Sequence, residues 1–446
     1  MADFLGRCAE AREAIEKMDD VLIVHHYDAD GLSSGALAAA ALEKMGKSYS
    51  RLCYRKLSPK ELEEIHARKE RNIILLDFGG AVQDELAKMN KKSIVIIDHH
   101  QCDEGPILQV NPRLFGIDGS HELSGASTAY FTFGFRELAP IGIVGAVGDV
   151  QAPLHGWNRR MLEEGEQAGV VRAYRDLCMF GRINRPLIQF LLYSVDPFLP
   201  GLTGNEQNVI AFYNDLGIPL KSGDKWRTYK DLSEDEKQAL RSALVSYLYE
   251  KGRTRDAESL IGEVYELLTY PENTEMRDAS EFSTLLNACG RHNEPDTGVD
   301  VMLRRAGAYE KAVALLELHR KMLREGIEYA NRSIVDLGPF YLVDARGVID
   351  DGIIGVVAGM LYSTIRPDKA VVAIALDSEG NIKVSTRGTR ALVANGLNLG
   401  KSLEVACEGI GVGGGHDIAA GATVQSDKLN EFLKRFGMEM EKHNQK

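Results

Sequence analysis

Four short apolar runs, each followed at once by acidic or histidine residues, most constrain how this chain folds. The runs occupy residues 21–24, 73–76, 94–97 and 143–147, and the motifs HHYDADG, DFGG, DHH and GD follow at residues 25–31, 77–80, 98–100 and 148–149. Continuous runs of this length, rich in β-branched residues, are typical of strands buried on both faces of a parallel sheet. We therefore predict an α/β fold whose ligands collect at the carboxyl ends of its strands.

The pattern of the whole chain predicts several regions. We expect a parallel-sheet domain at residues 1–155, a mostly helical connecting region at 156–290, a linker helix at 291–335 and a smaller α/β domain at 336–446. In the connecting region, Leu240, Leu244 and Leu248 repeat at helical spacing after a predicted cap at Ser233. In the last region, runs at residues 340–343, 353–357, 370–376 and 382–385 predict strands, before a glycine-rich segment at 409–421 and a final amphipathic helix.

The composition predicts a soluble, cytoplasmic protein with no membrane partner. The 446 residues are 44% hydrophobic and 26% charged, enough chain for two or three cored domains. The first residues lack the apolar segment of a signal peptide, and no apolar run approaches the roughly 18 residues that span a bilayer. The six cysteines are scattered without metal-binding spacing, so we expect reduced side chains.

The net charge of −12 limits what the chain can bind. Proteins that grip long stretches of nucleic acid usually carry a basic face, which displaces the counterions of the phosphates. An acidic chain can still bind a nucleic-acid end if cationic groups and metals are concentrated in one place. Any phosphate site is therefore expected to be local.

The motif residues are of the types that two divalent metal ions require. Hydrolysis of a phosphodiester needs a hydroxide at neutral pH and positive charge near the phosphorus oxygens and the leaving group, and two ions about 3.5–4 Å apart supply both. Carboxylates and imidazoles without thiolates favour manganese, or alternatively magnesium, over zinc or an iron–sulfur cluster. We therefore predict two divalent ions with manganese preferred.

Each motif residue has a predicted place in this site. If the chain stays extended after the first strand, His26, Asp28 and Asp30 point to the same side. Asp77, alone at the end of its strand, is the natural bridge between the ions. The full set of predicted metal ligands is His26, Asp28, Asp30, Asp77, His99 and Asp149.

Two further residues of the DHH motif are predicted to assist catalysis. Asp98 is expected to orient His99 by a hydrogen bond to the side of the His99 ring that faces away from the metal. His100 then remains to contact the reacting phosphate or to assist the leaving group.

These motifs resemble those of the DHH phosphoesterase superfamily, and Gly413-Gly414-Gly415-His416 resembles the GGGH signature of its DHH-associated substrate-binding domain. The HYDADG run is similar to the DxDADG motif of RecJ-type enzymes. A helical region between two lobes is similar to the archaeal RecJ-like nucleases, which include the GINS-associated nuclease. The resemblance implies a manganese-dependent exonuclease on single-stranded DNA or RNA, active in replication or repair.

Carried over by position, the resemblance implies the same metal ligands and adds residues that bind substrate. RecJ enzymes have Asp where this chain has His26, so His25 competes with His26 as the ligand. Ser385 and Arg387 resemble a motif that holds a terminal phosphate, and Arg55 is a second candidate of this kind. Gly413, Gly414, Gly415 and His416 are expected to form a loop that presents N–H groups to phosphate. One further run lies where similar proteins enter the second domain, and it contains Asn287, Gly290, Arg291 and His292. A purely structural role for this run is left open.

Three functions remain open on the sequence. The first is an exonuclease that takes single-stranded DNA or RNA ends and works with GINS or other replisome components. The second is a phosphodiesterase for very short oligonucleotides or cyclic dinucleotides, for which the acidic surface is less of a handicap. The third is a non-catalytic replication scaffold, against which the complete ligand set counts.

Overall fold

The computed structural model describes residues 3–89, 92–194, 197–364 and 368–444. The chain forms two compact units, residues 1–316 and 317–446.

Among the described residues of the first unit, a five-stranded parallel sheet positions the motifs. Its strands are β1 (Val21–His26), β2 (Tyr49–Tyr54), β3 (Asn72–Leu76), β4 (Ser93–Ile97) and β5 (Leu108–Val110). The strands lie in the order β2-β1-β3-β4-β5, with parallel neighbours throughout. Because β2 and β3 lie on opposite sides of β1, the direction of winding reverses there, and open sheets bind ligands at such a point. The predicted parallel sheet is confirmed, and three of the four motifs follow the adjacent strands β1, β3 and β4.

Helices cover this sheet and extend the unit. They are α1 (Phe4–Glu16), α2 (Ala29–Lys44), α3 (Pro59–Ala67), α4 (Gln83–Ala87), α5 (Gly125–Phe133) and α6 (Ala139–Gly148). Alanines and glycines fill the buried face of α2, so the helix lies close to its neighbours α5 and α6.

The remainder of the first unit contains strands as well as the predicted helices. The helices are α7 (Gly156–Gln167), α8 (Leu187–Leu192), α9 (Glu206–Asp215), α10 (Glu234–Glu250), α11 (Thr254–Ser259), α12 (Ala279–Arg291) and α13 (Pro295–Met302). The strands are β6 (Val171–Leu177), β7 (Lys221–Ser222), β8 (Lys225–Trp226) and β9 (Ile261–Leu267), paired β6 with β9 and β7 with β8. The prediction for α10 is confirmed, since Ser233 caps it in a capping box with Glu236.

The apolar run at residues 143–147 is helical, and the strand predicted there is wrong. It belongs to α6, which carries Pro140 in its first turn, where proline is well tolerated. α6 packs against α2, α5, α7 and α12, so it is apolar on all sides. A helix enclosed in this way has the same continuous apolar pattern as a buried strand.

The second unit is built on a mixed sheet. Its strands, β10 (Val335–Asp336), β11 (Phe340–Asp344), β12 (Ala370–Leu376), β13 (Ile382–Arg387), β14 (Gly411–Gly415) and β15 (Ala419–Val424), lie in the order β10-β11-β12-β13-β15-β14. The helices are α14 (Ala308–Ser333), which contains the boundary between the units, α15 (Ile354–Thr364), α16 (Arg390–Ala394), α17 (Leu399–Cys407) and α18 (Leu429–Asn444). The second α/β region is thereby confirmed.

Two predictions for the second unit are corrected. Residues 354–357 of the strand predicted at 353–357 form the first turn of α15, whose buried Ile354, Val357 and Leu361 repeat at helical spacing. Gly413, Gly414 and Gly415, predicted as part of a loop, lie in β14. Among the described helices, none has the combination of length and apolar content needed to cross a membrane.

Candidate metal centre

The predicted metal ligands of the first unit meet at the carboxyl edge of its parallel sheet. His26 ends β1, Asp77 follows β3, and the DHH motif follows β4. Ligand atoms lie within 4.8 Å of one another in three groups: His26–Asp28–Asp77, Asp77–His99–His100 and Asp30–His99–Asp149. Asp77 and His99 each belong to two groups, so the seven residues form one continuous set, named here the ligand cluster.

Asp28 and Asp30 reach the ligand cluster from the start of α2. β1 ends at His26, and Asp28 is the N-cap of α2, where its carboxylate accepts a hydrogen bond from the Gly31 N–H at 3.0 Å. Asp30 lies in the first helical turn and is buried. The extended alternation predicted for these residues is therefore wrong beyond His26, because the capping aspartate starts a helix instead.

The N-terminus of α5 holds Asp30. Asp30 Oδ1 accepts hydrogen bonds from Ser124 Oγ at 2.9 Å and Ala126 N at 3.0 Å, and Oδ2 accepts one from Gly125 N at 2.7 Å. Helix N-termini stabilise negative charge because their first N–H groups are unpaired within the helix. These residues were not predicted from the sequence, although a serine before an apolar run is a recognisable capping signal.

Two glycines allow α5 and α6 to lie close to the carboxylates of Asp30 and Asp77. A Cβ on Gly125 would lie 2.7 Å from Asp77 Oδ1 and 3.0 Å from Asp30 Oδ2. A Cβ on Gly145 of α6 would lie 2.5 Å from Asp30 Oδ1. A larger residue at either position would displace the carboxylates of the ligand cluster.

The structure separates the two neighbouring histidines that competed as ligands. His26 Nδ1 lies 3.1 Å from Asp28 Oδ2 and 3.4 Å from Asp77 Oδ2. The His25 ring is buried against Gly35 of α2, with Nδ1 2.8 Å from the carbonyl oxygen of His26. Burial lowers the pKa of His25 to about 4, as expected for a neutral core histidine. The geometry favours His26 as the ligand.

Asp77 faces a different histidine with each carboxylate oxygen. Oδ1 lies 3.1 Å from His99 Nε2, and Oδ2 lies 3.4 Å from His26 Nδ1. Its backbone φ of 65° is in the left-handed region, which aspartate tolerates better than most residues. The turn after β3 thereby directs Asp77 toward both histidines, the arrangement that a bridging carboxylate needs.

His99 is oriented by a backbone carbonyl rather than by Asp98. His99 Nδ1 donates a hydrogen bond to the Gly119 oxygen at 2.6 Å, which leaves Nε2 facing Asp77 and, at 3.7 Å, Asp30 Oδ2. Asp149 Oδ2 lies 3.8 Å from His99 Nδ1.

Asp98 instead holds His100. Asp98 Oδ1 accepts hydrogen bonds from the backbone N–H groups of His99 and His100 and, at 2.9 Å, from His100 Nδ1. The predicted contact of Asp98 with the His99 ring is therefore corrected to the His100 ring. The His100 side chain is 57% exposed, so it is accessible to a substrate.

The pKa shifts in the ligand cluster arise from burial and from the closeness of its carboxylates and imidazoles. Burial raises the pKa of Asp30, and the charges of Asp77 and Asp149 raise it further. Burial also raises the pKa of Asp149, to about 6, against the opposing effect of His99. Burial by itself lowers the pKa of His26, but the contacts with Asp28 and Asp77 outweigh it and raise that pKa to about 11. Protons thus compensate carboxylate charge that bound cations would otherwise neutralise.

The ligand cluster fits two divalent ions by its donors as well as by its charge. Asp77 Oδ1 and His26 Nδ1 are buried and make close contacts, yet neither forms an aligned hydrogen bond within the described chain. Such atoms are costly to bury unless a further partner completes them. Oxygen and imidazole donors without thiolate suit manganese or magnesium.

The run at residues 287–292 shapes the loop that follows β1. Asn287 Oδ1 accepts a hydrogen bond from Ala29 N, the first residue of α2, at 3.0 Å. A Cβ on Gly290 would lie 1.8 Å from the Tyr27 carbonyl oxygen, so only glycine fits. Asn287 and Gly290 therefore have a structural role, since both fix the loop between β1 and α2.

Two arginines lie beside the same loop. Burial lowers the pKa of Arg291, and within the described chain its guanidinium makes no hydrogen bond or ion pair, although Tyr27 and Asp28 are near enough to affect it. The Arg55 guanidinium lies over the Tyr27 ring, 5.2 Å from the ring centre, and donates to Asn293 Oδ1 at 3.3 Å. Arg55 was predicted from the sequence as a phosphate-binding residue, whereas no chemical role was predicted for Arg291.

In the second unit, Ser385 and Arg387 face the first turn of α15. Both lie on β13, two residues apart, and a Cβ on Gly355 would lie 3.2 Å from Ser385 Oγ and 3.3 Å from an Arg387 nitrogen. Arg387 donates to the carbonyl oxygens of Thr386 and Gly355 at 2.9 and 2.8 Å. A guanidinium beside a helix N-terminus is a favourable place for an anion.

The three glycines of the GGGH run lie in β14, an edge strand beside α17, rather than in the predicted loop, and His416 follows the strand. A Cβ on Gly413 would lie 2.9 Å from Cys407 Sγ, and one on Gly400 would lie 2.2 Å from the Gly415 oxygen, so glycines allow α17 to pack closely. The carbonyls of His416 and Asp417 accept hydrogen bonds from the first N–H groups of α17. The His416 side chain is exposed.

Three family models match successive parts of the chain. The model of the DHH family, N-terminal domain, matches residues 20–139. The DHH-CID domain model matches residues 179–261, and the DHHA1 domain model matches residues 338–442.

Solved structures share the fold at low sequence identity. RecJ from Thermus thermophilus in complex with Mn²⁺ has a TM-score of 0.61 and 18% identity, covering 98% of this chain and 55% of that one. CDC45 from Entamoeba histolytica has a TM-score of 0.64 and 13% identity, covering 98% of both chains.

Relatives are also found by sequence. The single-stranded-DNA-specific exonuclease RecJ of Thermus thermophilus is 27% identical over 177 residues, 34% of this chain and 26% of that protein. The uncharacterized protein MJ0831 of Methanocaldococcus jannaschii is 31% identical over 430 residues, 93% of this chain and 92% of that protein. With the three family models in order along the sequence, these matches show that the chain belongs to the DHH family.

Proposed function

We propose that this protein is an exonuclease that hydrolyses phosphodiester bonds at the ends of single-stranded DNA or RNA with two divalent ions, manganese preferred and magnesium as the alternative. The observation that carries the proposal is the sharing of Asp77 and His99 between neighbouring groups of the ligand cluster. Ligands shared in this way would hold two ions close together, as two-metal hydrolysis requires.

The residues divide naturally between two ion positions. His26, Asp28 and Asp77 would hold one ion, and Asp30, His99 and Asp149 the other, with Asp77 facing both through its two oxygens. When bound, the ions would supply a hydroxide at neutral pH and neutralise charge on the phosphate.

His100 is suited to donate a proton to the leaving oxygen. Its hydrogen bond with Asp98 raises its pKa above the ordinary histidine value, which favours the protonated ring. Because Asp98 holds Nδ1, the remaining nitrogen Nε2 is the atom available for donation.

Three arginines and one histidine are proposed to bind the phosphates of the substrate. Arg291 is the strongest candidate in the first unit, because a half-buried guanidinium with no hydrogen bond or ion pair in the described chain gains most from an incoming anion. Arg55 lies at the same loop. In the second unit, Arg387 with Ser385 forms a phosphate site at the start of α15, and the exposed His416 adds a further donor.

The relatives support the substrate class. The RecJ relative is named as specific for single-stranded DNA, and RecJ has been solved with both Mn²⁺ and Mg²⁺. A role in replication or repair, beside GINS or other replisome components, is part of the proposal. The alternative is a non-catalytic replication scaffold, against which the complete ligand cluster counts.

A manganese-dependent cleavage assay on single-stranded DNA and RNA, labelled at either end and graded in length, tests the proposal. We expect mononucleotides to be released from one end of the strand. Cleavage limited to di- and trinucleotides or cyclic dinucleotides would favour a small-substrate phosphodiesterase. Binding of strands without cleavage in manganese or magnesium would contradict the enzyme and favour the scaffold.

A further inference from the structure

Gln151 connects two candidate metal ligands that come from different parts of the chain. It follows Asp149 by two residues and is only 3% exposed. Its amide nitrogen donates to Asp149 Oδ2 at 2.7 Å and to the Gly119 carbonyl oxygen at 2.9 Å. A carboxylate and a carbonyl only accept hydrogen bonds, so the group between them must be the NH₂ of the amide.

The Gly119 carbonyl is also the group that orients His99. The same oxygen accepts a hydrogen bond from His99 Nδ1 at 2.6 Å. Gln151 therefore shares one acceptor with His99 while it donates to Asp149. His99 and Asp149 are two members of the Asp30–His99–Asp149 group.

Asn158 fixes the orientation of the Gln151 amide. Asn158 Nδ2 donates to Gln151 Oε1 at 2.6 Å, so both hydrogens of the amide and its oxygen are engaged. Asn158 is itself fully buried at the start of α7, where its N–H donates to the Glu122 oxygen at 2.8 Å. It donates to Gln151 rather than to a member of the ligand cluster.

The end of α6 directs Asp149 and Gln151 to the same side. Val150 N donates to the Val147 oxygen and Gln151 N donates to the Ala146 oxygen, a Schellman arrangement. Val150 occupies its left-handed position with φ of 60°, where glycine is usual, and its side chain is 86% exposed. The turn thus sends Val150 outward and the residues on either side of it inward.

We propose that Gln151, held by Asn158, is a positioning residue that fixes Asp149 and His99 relative to each other, so that the Asp30–His99–Asp149 group binds its divalent ion. The inference rests on the proposed function, because it assumes that the ligand cluster binds ions. It assigns a role to a residue that is neither a ligand nor part of the four motifs.

Calorimetric titration of the full-length protein with Mn²⁺ alone tests the inference. Gln151→Met keeps the side-chain volume but removes both donated hydrogen bonds. We expect one of two manganese sites to weaken by about 10- to 100-fold, the usual effect of removing a group that orients a metal ligand, while the other is unchanged. Asn158→Asp, which places an acceptor against Gln151 Oε1, should weaken the same site.

The matched control is Gln83→Met. Gln83 is also buried and donates to two backbone carbonyls, those of Gly80 and Asp103, outside the ligand cluster. Its manganese titration should match the wild type. Electron paramagnetic resonance supplies a second measurement, since spin-coupled manganese pairs in the wild type should give way to isolated manganese in Gln151→Met.

The outcomes separate this inference from the proposed function. If the wild type binds two ions and Gln151→Met or Asn158→Asp binds both equally well, the positioning role is wrong and the proposed function stands. An equal loss in Gln151→Met and Gln83→Met would mean general destabilisation and would also overturn the role. If the wild type binds no divalent ion, the proposed function itself fails.

Discussion

Asp77 is the residue on which both proposed ion positions depend, because its two oxygens face different histidines. Asp77→Asn keeps the shape of the side chain and its tolerance of the left-handed backbone, but removes the charge. Since activation of water by the ions is the main source of rate in two-metal hydrolysis, we expect activity to fall at least about a thousand-fold. The rate of manganese-dependent strand cleavage measures the effect.

A surface aspartate serves as the control for this change. Asp118 is half exposed and pairs with His121 outside the ligand cluster, so Asp118→Asn should keep wild-type activity. Circular dichroism establishes that both variants are folded. A folded Asp77→Asn protein that retains a tenth of wild-type activity would contradict the bridging role.

Asp149 should make metal binding depend on pH. Burial raises its pKa to about 6 in the protein without ions. A carboxyl with a raised pKa stabilises the fold below its unfolded value of about 3.9, and that stabilisation is lost as the pH rises through about 6. An ion requires the ionised carboxylate, so manganese should raise Tm more at about pH 7.5 than at about pH 5.

Thermal unfolding with and without manganese at the two pH values checks this prediction. The high pKa of His26 acts in the same direction, because a protonated imidazole cannot bind an ion. Asp149→Asn should reduce the pH dependence of the manganese-induced rise in Tm. An equal rise at both pH values in the wild type would count against the assignment of Asp149.

At the scale of elements, the junction of α5 with the sheet depends on Gly125. A Cβ there would lie 2.7 Å from Asp77 Oδ1, and the Gly125 N–H also donates to Asp30. Gly125→Ala should therefore lower the free energy of unfolding by about 1–3 kcal/mol, as overpacking usually does. It should also weaken manganese binding at least about tenfold through displaced ligands.

A helical glycine in the second unit is the matched control. A Cβ on Gly437 of α18 would meet only Phe340, at 3.7 Å, which is ordinary contact. Gly437→Ala should leave manganese binding unchanged and raise the free energy of unfolding by up to about 1 kcal/mol, because alanine loses less backbone entropy in a helix. Denaturant unfolding and metal titration compare the two variants. Wild-type manganese affinity in Gly125→Ala would refute the packing argument.

The sequence correctly predicted those helices and strands whose apolar pattern fits only one type of secondary structure. β1, β3 and β4 are short apolar runs with polar residues at both ends, and Ser233 marks the start of α10. α6 was missed because a helix buried on all sides has no polar face to reveal its period. For α15, the apolar residues before its second turn are too few to distinguish a helix from a strand.

Contacts between side chains from elements that are distant in the sequence were only partly predicted. Motifs at the ends of adjacent strands predicted that His26, Asp77 and His99 would lie near one another. Gln151 and Gly125 carry no such signal, because their contacts with Asp149 and Asp77 depend on how α5 and α6 pack. Chemical type and strand order predict ligands, whereas the residues that hold ligands appear only with the tertiary structure.

At the scale of the whole molecule, the charge of −12 should limit how the protein grips a strand. The proposed phosphate contacts are a few local groups, the guanidiniums of Arg55, Arg291 and Arg387 and the side chain of His416, rather than a continuous basic surface. With three or four phosphates bound, log affinity should fall against log salt with a slope of about −2 to −3, from roughly 0.7 for each single-strand phosphate. Affinity should also stop rising with strand length within about ten nucleotides, since further phosphates would meet an acidic surface.

Fluorescence anisotropy with the cleavage-deficient Asp149→Asn protein, across strand lengths and salt concentrations, measures both the salt slope and the length dependence. Arg291→Ala should make the slope shallower by about 0.7. A much steeper slope, with affinity still climbing on longer strands, would contradict binding at the strand end and require an extended path for the strand along the protein.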